Sequence, residues 1–293
     1  MQLFDEYVMV DWSAVSRRKT GADSVWIAAG NASRVVAENP STRAAARAVV
    51  QELLVAAAAA GRRVLVGFDF PYGFPRGLGR ALDLPSGRAW AWFRVWEELV
   101  RSIEDDDANR NNRFVVASRL NERLGPEPGP FWMRPHASGT PALAPTRPVF
   151  PYETPTVSLP EFRATELVLK RRGRQPQSAW KLSGAGSVGS QALLGIPVAH
   201  ALRFDPGLAS VSRVWPFETG FVPEPAGIVV HAEVWPGVVD VDPREGEVRD
   251  ATQVKALVAE FARRDAEGTL GELFVPLDAD DAAAHEEGWI LGT

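Results

Sequence analysis

Residues 62–71, RRVLVGFDFP, and residues 7–13, YVMVDWS, decide how this chain is built. Each is an uninterrupted apolar run, the pattern of a strand covered on both faces in mid-sheet, and each stops abruptly at an aspartate, Asp69 or Asp11. Between them lie SVWIAAG and a short stretch from Arg34 to Ala37, set off by polar turns, so an antiparallel meander of three strands is expected first. Asn39-Pro40 then offers an N-cap and a first-turn proline, and the Ala-rich segment from Ser41 to Ala60 has strong helix propensity until Gly61 ends it. A strand, crossover helix, strand order makes the two apolar strands parallel and brings Asp11 and Asp69 to one sheet edge.

Working outward, residues 72–210 are richer in Pro and Gly and read as an insertion around a core formed by 1–71 and 211–293, all in one elaborated domain. Helices are expected in RAWAWFRVWEELVRSI, in NRFVVASRLNERLG and from about Pro160 to Lys170, with FPYETP at 150–155 as loop or edge structure. Two more strands are expected at SRVWPF and GIVVHAEVW. A helix begins near Asp250, where Val254, Leu257, Val258 and Phe261 follow the spacing of one buried stripe. The fold class is therefore α/β, a mixed sheet of about five or six strands flanked by helices.

Hydrophobic residues make up 45% of the 293 and charged residues 24%, the balance of a folded globular chain rather than a disordered one. No apolar run reaches the roughly 18 to 20 residues that cross a bilayer, and the opening MQLFDEYVMV carries acids where an export signal needs basic residues, so a cytoplasmic protein without a membrane partner is expected. With no Cys, any metal must be held by oxygen or imidazole, which favours Mg²⁺ or Mn²⁺. His136, His200, His231 and His285 have no metal-ligand spacing, which disfavours a zinc hydrolase. The net charge of −5 suits a polyanionic partner poorly except through a local basic patch. Lys170, Arg171, Arg172 and Arg174 form one, whose plainer reading is a solvated loop.

A carboxylate that ends a buried strand is costly unless it gains hydrogen bonds or a cation. Strands about 4.8 Å apart would let Asp11 and Asp69 share one ion. Glu233, in VVHAEVWPG, adds a third acid near a strand end, and Asp250 a fourth. Each also has a structural reading: turn acids for Asp11 and Asp69, pairing with an Arg for Glu233, and helix capping with Gln253 for Asp250. Glu218, which closes another strand, is the runner-up acid.

Residues 184–189, GAGSVG, match the spacing of a dinucleotide fingerprint, but WKLS before them is a poor strand and no acid follows in the right context. The segment reads as a helix-entry turn or as a phosphate-contacting loop with Lys181, Ser183, Ser187 and Gln191. Trp90, Trp92 and Trp96 crowd one segment and read as core rather than as a stacking platform.

VDWSA with Asp11, GFDFPYGFP with Asp69, VVHAEVWPG with Glu233 and RDATQVKALVAEF with Asp250 occur in an order that resembles an uncharacterised domain family described as predicted nucleases with a ribonuclease H-like fold. The resemblance spans most of the chain and resides in these short segments. It implies that Asp11, Asp69, Glu233 and Asp250 are metal ligands and catalytic residues. In the last segment the family's double-acid start and further Asp are replaced here by Arg249-Asp250 and Gln253. The expected activity is metal-dependent hydrolysis of a phosphodiester in nucleic acid or a phosphorylated small molecule. The other readings are a nucleotide-binding protein of the actin-like or sugar-kinase-like kind and a non-catalytic ligand-binding or scaffold protein.

Overall fold

A computed structural model describes residues 2–85, 91–134, 140–239 and 241–293. Trp90 and His136 lie outside the described residues. The chain opens with the expected meander: β1 (Glu6–Asp11), β2 (Trp26–Gly30) and β3 (Val35–Glu38), each antiparallel to the one before. Helix α1 (Arg43–Ala59) crosses over to β4 (Val64–Phe68), which pairs in parallel with β1 and puts Val10 beside Phe68. The cap of α1 differs from expectation. Thr42 supplies it, its hydroxyl accepting from the Ala45 amide at 3.2 Å. Asn39 instead fastens the β1–β2 connection, accepting from the Gly21 amide and donating to the Val25 carbonyl, both at 2.6 Å.

After β4 come α2 (Leu78–Ala81), α3 (Ala91–Ser102), α4 (Arg113–Leu124), a small ribbon of β5 (Tyr152–Glu153) and β6 (Ser158–Leu159), then α5 (Ala164–Arg171) and α6 (Val188–Arg203). The chain returns to the sheet with β7 (Ser212–Val214) and β8 (Val229–Glu233), both shorter than the apolar runs that announce them. Helix α7 (Arg249–Ala266) follows. The main sheet has the order β3-β2-β1-β4-β8-β7, with β1, β4, β8 and β7 mutually parallel.

The strand period of two sorts side chains into two cores. Val8, Val10, Val66 and Phe68 face one cluster, shared with α1, α3 and α6. Tyr7, Met9, Leu65, Val230 and Ala232 face the other, under Val254, Leu257, Val258 and Phe261 of α7. Each of those α7 side chains contributes on the order of 1.5–3 kcal/mol by leaving water. Every strand of the main sheet lies within residues 6–68 and 212–233, yet α3 and α6 supply much of one covering layer. Trp92 and Trp96 belong to that layer as core residues. No helix among the described residues is long and apolar enough to cross a membrane.

Candidate functional site

Three neighbouring parallel strands, β1, β4 and β8, end in or beside an acid at the same edge, because Val10 pairs with Phe68 and Phe68 with Glu233. The acids meet different fates. Asp11 and Asp69 share a hydrogen bond, and among the described residues no cation forms a salt bridge with either. The Trp12 amide donates to Asp69 Oδ1 at 2.6 Å, fixing one carboxylate oxygen by the backbone of the adjoining strand. Burial, then the charges of Asp69 and Asp250, hold the Asp11 carboxyl well above the usual carboxylate range. Burial also pushes Asp69 up to about 7, against the pull of the Trp12 amide and with Asp250 adding to it. Two carboxyls forced to share a proton form a site that favours a positive charge.

Asp250 joins them from α7. Val248, without a side-chain bond, holds the N-cap position, so Asp250 does not cap the helix with Gln253. Its Oδ2 accepts from the Asp23 amide at 2.8 Å, and Asp23 itself sits in the left-handed region at φ 53°. Asp11, Asp23 and Asp250 line an open pocket of about 460 Å³ together with Ser183, Ser187, Gln191, Lys19 and Arg113. Among the described residues no group of three or more His, Asp or Glu is placed to hold a metal ion. Asp11 and Asp69 are in direct contact, and Asp250 acts on both through its charge.

Glu233 corrects the expected four-acid cluster. Its Oε1 and Oε2 receive Arg163 Nη2 and Nη1 at 2.6 and 2.7 Å, and Oε2 also accepts from the Tyr72 amide at 3.0 Å. Arg163 is fully buried and holds Glu166 as well, with Nε to Oε1 at 2.9 Å. With both oxygens bound to a guanidinium, this carboxylate has a counter-ion inside the protein, one it shares with Glu166. Glu218 is likewise spent, on Arg203 at 2.6 and 2.7 Å.

The glycine loop and α6 form the opposite wall. Gly189 must be glycine there, since a Cβ would lie 2.4 Å from the Ala179 carbonyl oxygen. Gly195 lets α6 lie against Phe70, whose ring carbon a Cβ would meet at 2.3 Å. Gln191 then donates from Nε2 to the Trp12 carbonyl, linking α6 to the strand end that orients Asp69. Ser183 and Ser187 line the pocket with hydroxyls that make no hydrogen bond among the described residues. Lys181 does not join them. Its ammonium folds back onto Gln177 Oε1 at 2.8 Å and the Ala185 carbonyl at 2.6 Å, where it braces the loop.

The pocket's semi-buried cation is Arg113, the first residue of α4, which the sequence reading did not single out. Burial, with the Arg43 charge nearby, pushes its guanidinium down to about 10. A signal existed: a cation at a helix N-terminus opposes the helix dipole and calls for a reason. Among the described residues the histidines form no alternative centre. His231 is buried in β8 against Ser212 Oγ at 2.7 Å, and burial pushes it down to about 3, so it is neutral. The basic run at 170–174 is exposed and does not reach the pocket. No protein family, curated protein or solved structure matches this chain, so its chemistry must be argued from the site.

Proposed function

We propose that the chain is a divalent-metal-dependent phosphodiester hydrolase on a ribonuclease H-like sheet, with Asp11 and Asp69 as principal metal ligands and Asp250 completing the set. One observation carries this reading: two carboxyls on adjacent parallel strands are held in contact beside an open pocket, with no cation bridging them among the described residues. The antiparallel meander followed by parallel strands supports the fold assignment. The donor set is all oxygen and anionic, which fits Mg²⁺ or Mn²⁺. Such an ion would activate water and stabilise the leaving oxygen of the diester.

The chain's own residues have separable tasks. Asp11 and Asp69 hold the ion, and the Trp12 amide keeps Asp69 from turning away. The Asp23 amide orients Asp250, and Gln191 locks the Trp12 backbone to α6. Ser183 and Ser187 present hydroxyls to the substrate's phosphate oxygens. Glu233 is assigned to the core. A scaffold protein would be expected to neutralise Asp11 and Asp69 internally and to close the pocket, whereas among the described residues no cation bridges them and the pocket is open. An actin-like or kinase-like protein duplicates its sheet, and the six-stranded sheet occurs once among the described residues.

Calorimetric titration of Mn²⁺ into the wild type, Asp11→Asn and Asp69→Asn tests the proposal, alongside hydrolysis of single-stranded DNA, RNA and bis(p-nitrophenyl) phosphate. The expected result is Mn²⁺ binding and hydrolysis by the wild type and loss of both in each variant. Retention of both by the variants overturns it.

A further inference from the structure

Arg113 lines the pocket, and among the described residues no acid forms a salt bridge with it. Its Nε donates to Ser190 Oγ at 2.9 Å and its Nη1 to Ser16 Oγ and Asn111 Oδ1 at 2.8 and 2.7 Å, all neutral oxygens. Nη2 makes no hydrogen bond among the described residues, nor does any of their carboxylates form a salt bridge with Arg113. Asp105, close enough to influence Arg113, is held by Arg43, Nε and Nη2 each at 2.6 Å. A largely desolvated guanidinium without a counter-ion is costly, and an arriving anion repays that cost. Lys19, the other cation on the pocket wall, is already paired with Asp23 at 3.2 Å.

Arg113 is also held rigidly relative to the acids. Ser190, which takes its Nε, precedes Gln191, which binds the Trp12 carbonyl, and the Trp12 amide binds Asp69. Ser16, which takes its Nη1, lies in the loop that leaves β1 after Asp11. The Phe114 ring supports the guanidinium at 4.4 Å. Two short tethers thus fix Arg113 relative to Asp11, which lines the same cavity, and to Asp69 behind it. Trp12 is the only aromatic side chain on that lining among the described residues, and it is buried, so no ring stands ready to stack on a base.

We propose that Arg113 is the phosphate receptor of this pocket: its Nη2 takes an anionic oxygen of a phosphate ester, and recognition stops at the phosphate without reading an attached base. The substrate class rests on the hydrolase reading, whereas the anion site does not. A pocket of about 460 Å³ suits a small phosphate ester or one phosphate of a single strand.

The test titrates inorganic phosphate, in EDTA, into the full chain by calorimetry and thermal shift. The wild type is expected to bind phosphate and to melt higher with it. Arg113→Gln and Arg113→Lys should bind at least about tenfold more weakly, since Gln carries no charge and Lys cannot keep the tethers to Ser190 and Ser16 while presenting a further N–H to the phosphate. Asp11→Asn should bind as well or better, having lost a repelling carboxylate. Absence of binding by the wild type, or equal binding by Arg113→Gln, overturns the proposal. On the wild type itself, phosphate should slow phenylglyoxal modification of Arg113 measured by peptide mass, and no protection overturns it even where the variants fail to fold. Phosphate binding that depends on Arg113 in a chain that takes up no Mn²⁺ would remove the hydrolase reading and leave the anion site standing.

Discussion

The ends of β4 and β8 lie side by side, and the same residue type does opposite things at each. At β8, Glu233 is wrapped by Arg163 and the Tyr72 amide, deep in the protein. At β4, Asp69 has an amide and another carboxyl for company, and among the described residues no cation forms a salt bridge with either acid. One acid is a fastener between the sheet and α5. The other belongs to a pair kept under electrostatic tension at the edge of an open pocket. Position at a strand end therefore does not decide an acid's role; whether the chain supplies it with a counter-ion separates these two.

The strongest way to break this contrast is to remove the fastener. Arg163→Met strands Glu233 and Glu166 as buried carboxylates and is expected to cost about 3–5 kcal/mol in urea denaturation. Its companion, Glu233→Gln, should lower stability while leaving Mn²⁺ affinity unchanged. If Glu233→Gln instead abolishes Mn²⁺ binding as Asp11→Asn does, the two strand ends are equivalent after all.

A smaller effect sharpens the other side. Asp11 and Asp69 have folded-state pKa values raised above their unfolded values, so the fold retains protons that the unfolded chain releases. Their contribution to stability is present below the ordinary aspartate range of about pH 4 and is lost as pH rises, through about 7 for Asp69. Thermal melts of the metal-free chain across that window should show this decline, and Asp11→Asn should flatten it. The least effect is expected at the opposite wall: Ser187→Ala, which loses no internal hydrogen bond, should shift stability by less than about 0.5 kcal/mol while weakening phosphate binding.

The strands bearing Asp11 and Asp69 were legible because an apolar run that ends in a carboxylate is a local pattern. So was the α7 stripe that carries Asp250. Arg163 was not, because it lies 70 residues from Glu233 in a segment whose composition suggested only loop and helix, and nothing local ties the two together. The helix of α5 starts at Ala164 rather than Pro160, which frees Arg163 to turn toward the sheet. Lys181 misled for a related reason: a long flexible side chain beside a glycine loop can brace that loop as readily as face a ligand. The capping expectations for Asn39 and Asp250 failed because each side chain found a partner in the β1–β2 connection, a choice made by tertiary contact rather than by sequence spacing.

The pairing of β4 with β8 also sets the order in which the molecule can be made. Val64–Phe68 is buried along its whole length, but one of its two flanks is Val229–Glu233, which leaves the ribosome only after the long intervening segment. Until then an apolar strand has an open edge of unsatisfied amides and carbonyls, a template for pairing with another chain. Contacts this distant in sequence close slowly, so the nascent protein passes through a prolonged stage in which that edge needs shielding from its neighbours.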